Sequence, residues 1–395
     1  MPDVFDKIAD WLTDQSLDGA DLQDTVAHLV DRLIKLGMPL SRFVIGRTML
    51  HPAIGAYDLT WSAATNRVDV STIPREQTTL SIKGATTPFG TLATRRVDHI
   101  RANLTDAGER NQYPVFATLA ADGITDYAAW PHMLTVDGTN PFEAHALCSA
   151  VSICTKRLTG FTDAEISGFE RILKPLFIHA RLSTEAYLAR VLLETYLGPG
   201  TGQKVLSGQS ARGMGETIDC VLFYSDMRGS TALSQELDQD AYFAAINQYF
   251  DCVAGAVQDH GGEVLKFVGD GVLAIFPIDA DMRPVDAMCN AALSSARDAI
   301  ARAERCETCP TFGVALHVGQ VVYGNVGTRE RLDYTATGLA VAVVCRCEAL
   351  TRALDSTVIA TGDFAETCAA DATPLGAHSL RGLDESMKLF GYAAT

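Results

Sequence analysis

Residues 219–231, DCVLFYSDMRGST, and residues 263–276, EVLKFVGDGVLAIF, decide how this chain of 395 residues is read. The first is a β-rich run that ends on Asp226 and passes into a glycine-bearing turn. The second is a pair of β-rich runs around Gly269-Asp270-Gly271, a hairpin signal, because glycine supplies the positive φ that tight turns need. Between them Tyr242, Ile246, Tyr249, Val253 and Val257 recur every three or four residues, which is one helix face, and His260-Gly261-Gly262 ends it. Taken singly, Asp226 reads as a helix cap and Asp270 as a turn residue. Taken together, adjacent antiparallel strands would bring both to one sheet edge. Paired carboxylates there suit two Mg²⁺ or Mn²⁺ ions holding a polyphosphate.

Working outward, a helix is predicted over about 284–304 and a long strand over 312–327. The stretch YTATGLAVAVVCR (334–346) follows, then strands at STVIAT (356–361) and near MKLFGYA. The order β-α-β-β-α-β resembles a ferredoxin-like α+β sandwich.

The front of the chain has a different texture. Helices are predicted over 3–16 and 22–37, and strands over 41–50, 55–64, 67–73, 113–121 and 145–154. A further helix opens at Thr162, a natural cap with Glu165 three residues on. Two helices, an antiparallel sheet and a closing helix resemble a GAF-type sensor domain over residues 1–180. Trp61, Trp130, His132 and His145 would line an effector pocket there, or serve as ordinary core; the effector is not identified. Residues 181–213 read as a helical linker that passes into a Gly- and Ser-rich connector, either a transducer or a spacer.

Composition narrows the function. With 47% hydrophobic and 20% charged residues the chain is globular. A formal net charge of −16 leaves no basic face for nucleic acid. No apolar run approaches the ~18–20 residues that span a bilayer, and the acidic N-terminus lacks secretory features, so a cytoplasmic location is expected. Cys306 and Cys309 form one C-x-x-C without a second pair at zinc spacing, so no metal is expected there.

The motifs SDMRGST, KFVGDGVLAIFP and RLDYTATG, with Arg346 eight residues after Gly338, resemble the catalytic domain of class III nucleotidyl cyclases over residues 214–395. The segment GQKVLSGQSARGMGE also resembles the lead-in of bacterial members. The resemblance implies that Asp226 and Asp270 bind two Mg²⁺ or Mn²⁺ ions per active site. The amides of Met227, Arg228, Gly229, Ser230 and Thr231 would cradle phosphate. Lys266 and Thr335 would read the purine, and the lysine favours ATP over GTP, because guanine-selective members carry an acid at its position. Arg346 would face the charge that builds on the α-phosphate as the ribose 3′-hydroxyl attacks, giving 3′,5′-cyclic AMP and pyrophosphate. Metal-binding and base-reading residues come from opposite subunits in this family, which implies a homodimer with two shared sites.

One position departs from the pattern. The family places an asparagine four residues before the arginine, where it orients the ribose; here the residue is Ala342. Leu339 is likewise more apolar than usual. Losing one such donor costs roughly 2.7–4 kcal/mol, a factor of about 10²–10³ in rate. The sequence therefore implies a slowed adenylate cyclase, unless Thr337 or a water takes the ribose contact. The alternative is a degenerate domain that binds ATP and regulates a partner; a guanylate cyclase is a more distant reading.

Overall fold

The computed structural model describes residues 2–49, 51–95, 97–133, 148–383 and 385–394, which fall into two units, Met1–Leu192 and Leu193–Thr395. The first unit opens with α1 (Pro2–Leu17) and α2 (Leu22–Lys35), as the apolar spacing predicts. Asp21 caps α2 by accepting the N–H groups of Gln23 and Asp24 at 2.8 and 3.0 Å. Strands β1 (Arg42–Thr48), β2 (Ile54–Ser62) and β3 (Arg67–Pro74) follow, then α3 (Arg75–Gly84) and α4 (Pro88–Arg95). The unit continues with β4 (Ile100–Asn103), α5 (Ala107–Arg110), α6 (Pro114–Ala121), β5 (Asp126–Met133) and β6 (Cys148–Thr155). The sheet order is β3-β2-β1-β6-β5-β4.

Alternation sorts its two faces. Phe43 and Ile45 of β1, Leu59 and Trp61 of β2, Trp130 of β5 and Ile153 of β6 bury in one core. Leu12, Leu29, Leu33, Phe169 and Leu176 complete that core from the helical side. The residues of opposite parity, Val44, Gly46, Ala56, Asp58, Ala150 and Ser152, line a cavity instead.

The predicted strand at 113–121 is a helix. Pro114 occupies its first turn behind an extended Tyr113, and Phe116 and Leu119, three residues apart, bury in a small cluster with Leu92 and Leu104. Of the strand predicted at 145–154, β6 begins at Cys148, and 145–147, including His145, lie outside the described residues. The cap at Thr162 forms as a reciprocal pair: its hydroxyl accepts from the Glu165 N–H at 3.3 Å, and Glu165 accepts from the Thr162 N–H at 2.7 Å. Helix α7 (Asp163–Leu197) then runs on into the second unit.

In the second unit the connector is docked rather than loose. Helix α8 (Pro199–Leu206) places the Thr201 hydroxyl 2.7 Å from the Tyr323 hydroxyl and 3.1 Å from Glu263. Strand β7 (Gly215–Met227) leads through α9 (Ser230–Glu236) and α10 (Gln239–Asp259) to the hairpin β8 (Glu263–Val268) and β9 (Gly271–Pro277). Next come α11 (Val285–Glu304), β10 (Phe312–Gly327), β11 (Leu332–Thr337) and α12 (Leu339–Glu348). The chain closes with β12 (Val358–Thr361), α13 (Gly362–Thr367), β13 (Thr373–Ser379) and β14 (Ser386–Tyr392).

The strand order β10-β7-β9-β8 is antiparallel throughout, which is the ferredoxin-like arrangement of a β-α-β-β-α-β unit within an α+β fold. Along β7, Val221, Phe223 and Met227 bury in one cluster with Tyr249, Val257 and Leu293 from α10 and α11. Cys220 and Leu222 bury in the other, with Val343 and Val344 of α12. Asp226 shares the parity of the second set.

Candidate active site

The β7–β9 register sets Asp226 opposite Gly271, the residue after Asp270, so the two aspartates meet at one sheet edge. Gly269 adopts φ 63° in the two-residue turn that carries Asp270, a conformation that favours glycine. Burial pushes the Asp226 carboxyl above its usual range, and the neighbouring Asp270 charge adds to the shift. Gly271 is part of the same construction: a Cβ there would lie 2.6 Å from the Tyr224 hydroxyl and 3.1 Å from Asp226 Oδ1.

A third carboxylate stands nearby that the sequence reading missed. Glu348 of α12 is 8% exposed and accepts from the Thr351 hydroxyl at 3.3 Å. Burial, reinforced by Asp226, pushes it up to about 7, and Arg228 acts in the opposite sense. Its space is made by Gly313, which pairs with Asp226 across β7 and β10; a Cβ on Gly313 would lie 2.4 Å from Glu348 Oε1. The available signal was a glycine in the interior of a strand, which marks a close approach.

The turn after Asp226 only partly matches its predicted role. The Arg228 N–H is committed to the Thr311 carbonyl at 2.7 Å, so it is not free for phosphate. Met227 is 3% exposed and paired with Phe312. The amides that remain are those of Gly229, in the left-handed region at φ 74°, and of Ser230 and Thr231 at the start of α9. Among the described residues, however, Nε and Nη2 of Arg228 are buried without a hydrogen-bond partner. Unmet guanidinium donors beside carboxylates are a place for an anion.

The remaining predicted residues are spread out. Lys266 of β8 lines a 590 Å³ cavity with Phe250, Phe267, Asp333 and Tyr334, and neither Asp226, Asp270 nor Arg346 lines it. Thr335 sits on β11, which packs against β8, yet it is 2% exposed. Gly338 begins α12 at φ 135°, and Ala342 lies in that helix's first turns, its N–H 3.5 Å from the Gly338 carbonyl. The Arg346 guanidinium lies near Gly382, whose added Cβ would sit 3.6 Å from it. One chain therefore gathers Asp226, Asp270, Arg228 and Glu348, and leaves Lys266 in a separate cavity.

The donor set at the sheet edge fits a hard divalent cation. It offers carboxylate oxygens from the end of β7 and from the β8–β9 turn, and the Asp270 charge penalises the Asp226 carboxylate. Among the described residues no group of three or more His, Cys, Asp or Glu could hold an ion alone. Phosphate and water would supply the other ligands, as suits Mg²⁺.

In the first unit a cavity of 260 Å³ lies on the sheet face opposite the helical core, lined by Arg42, Asp58, Phe89, Leu119 and Tyr127 among others. Of the predicted pocket residues, the described ones, Trp61, Trp130 and His132, do not line it. Trp61 and Trp130 bury in the core, donating to Asn66 and Glu170, and His132 stacks on Phe177. Gly46 makes room for Asp58, whose Oδ1 would lie 2.3 Å from a Cβ there. No helix among the described residues is long and apolar enough to cross a membrane.

No family model matches the chain. It is 30% identical over 175 residues to adenylate cyclase 1 of Rhizobium meliloti (strain 1021), covering 42% of this chain and 26% of that protein. It is 29% identical over 187 residues to an adenylate cyclase of Anabaena cylindrica, covering 45% and 36% respectively. The matches thus span about a quarter to a third of these relatives' length. Among solved structures, a bacterial light-regulated adenylyl cyclase aligns with 45% of this chain and 92% of its own, at 26% identity and a TM-score of 0.40.

Proposed function

We propose that the chain is an adenylate cyclase that converts ATP to 3′,5′-cyclic AMP and pyrophosphate. The observation that carries this reading is the meeting of Asp226 and Asp270 at one sheet edge, with the unpartnered donors of Arg228 two residues further on in the chain. The similarity to two proteins named adenylate cyclase supports it. Two Mg²⁺ or Mn²⁺ ions held by Asp226 and Asp270 would neutralise phosphate charge and make the ribose 3′-hydroxyl easier to ionise. The protein's own groups do the rest. Arg228 and the amides of Gly229, Ser230 and Thr231 hold the phosphates. The 3′-oxygen, its proton passed to solvent water, bonds to the α-phosphorus in line as the bond to pyrophosphate breaks, and Arg346 meets the charge that builds there. Lys266 donates to adenine N1, and Thr335 accepts from the exocyclic amine.

Because Lys266 lies in a cavity that the aspartates do not line, the reading includes a homodimer in which each site draws on both subunits. The first unit is read as a GAF-like regulatory domain over residues 1–180, with 181–213 as the transducer. Its sheet order and its cavity support this, and the effector would occupy the cavity faced by Asp58.

A second reading, an ATP-binding module without turnover, is favoured by Ala342 and by the burial of Thr335. Cyclic AMP formation from ATP with Mn²⁺ separates the two. The enzyme reading expects product that Asp270→Ala removes. ATP binding without product above that variant would establish the second.

A further inference from the structure

The C-x-x-C segment plays no part in the proposed reaction, yet its surroundings are organised. It forms the turn between α11 and β10, closed by the Cys309 N–H on the Cys306 carbonyl at 3.4 Å. A turn of this kind keeps its first and fourth Cα atoms within about 7 Å, the range a disulfide can bridge. Cys306 is half-buried at the surface, its sulfur 3.8 Å from the Thr308 hydroxyl, which itself donates to Gln248. The Thr308 N–H, and after it the Thr308 hydroxyl and the Cys309 N–H, pull the Cys306 thiol below its ordinary range. Cys309 is the opposite case. Burial, with Cys252 of α10 beside it, pushes its thiol up to about 12.

We infer that Cys306 and Cys309 form a reversible dithiol–disulfide site, with Cys306 as the attacking thiol, Cys309 as the resolving thiol and a small disulfide such as oxidised glutathione as the oxidant. The Cys306 thiolate attacks one sulfur of that disulfide, forms a mixed disulfide and releases one glutathione thiolate, which is protonated. The Cys309 sulfur, giving up its proton, then attacks the Cys306 sulfur, forms the intramolecular bond and releases the second glutathione. Two protein thiols are oxidised and one glutathione disulfide is reduced. The attacking sulfur is the one that the surrounding N–H groups favour as a thiolate, and the second sulfur waits three residues away. Through Pro310 the turn leads to Thr311, whose carbonyl holds the Arg228 N–H. The site therefore adjoins the turn that follows Asp226.

The test incubates the full chain with oxidised glutathione and reads intact and peptide masses after alkylation. Both cysteines fall between Arg305 and Arg329, so one tryptic fragment carries them. The expected product is that fragment two hydrogen masses lighter and unalkylated, restored by dithiothreitol and still formed in Cys252→Ser. In Cys309→Ser, one glutathione should stay attached at Cys306. Full alkylation of both cysteines after oxidation would overturn the proposal, and so would a disulfide joining Cys309 to Cys252.

Discussion

Ala342 and Asp58 are single residues whose chemistry can be tested separately. If Ala342 limits turnover through a missing ribose donor, Ala342→Asn should raise kcat, by up to about 10²–10³-fold. An unchanged or lower kcat in steady-state kinetics would mean that the pocket has been rebuilt around alanine. Asp58 belongs to the first unit, where burial pushes its carboxyl up to about 6 and Arg42 offsets part of the shift. A carboxyl raised above its unfolded value of about 3.9 favours the neutral form in the fold. Its contribution is therefore lost as pH rises from about 4 to 6 and is constant above that. Asp58→Asn should flatten this part of the unfolding midpoint against pH; an identical slope in both proteins would contradict the assignment.

Among the elements, glycines set where carboxylates can sit. Gly313→Ala would drive a methyl to within 2.4 Å of Glu348 Oε1 and of the Thr351 hydroxyl. It should lower both stability and activity, with Gly362→Ala at the start of α13, where a Cβ meets nothing closer than 3.7 Å, as the control for a generic glycine effect. Normal melting and turnover in Gly313→Ala would remove Glu348 from the neighbourhood of Asp226. The same element-scale view explains what the sequence made legible. The hairpin and the capped start of α7 carry strong local signals: a Gly-Asp-Gly turn and a reciprocal cap. Residues 113–121 misled because their apolar run is short enough for a strand, whereas Pro114 and the alanines make it a helix. Glu348 was illegible because an acid at the end of a helix reads as a solvated face. The cavity faced by Asp58 was illegible for another reason: small residues such as Gly46 and Ala56 create it, and small residues announce no chemistry.

For the whole molecule, the proposal joins two surfaces that one chain keeps apart. Asp270→Ala and Lys266→Ala homodimers should each be impaired, and a mixture allowed to exchange subunits should regain activity, because one of the two shared sites in a mixed dimer is then intact. A mixture no more active than the average of its parts would place each site within one chain. The central claim is the reaction itself. Its most direct measurement is cyclic AMP produced from ATP and Mn²⁺ by the full chain, set against Asp270→Ala prepared in the same way. The account predicts product that accumulates with time in the first and is absent from the second; equal, background-level product in both, with ATP bound, would contradict it.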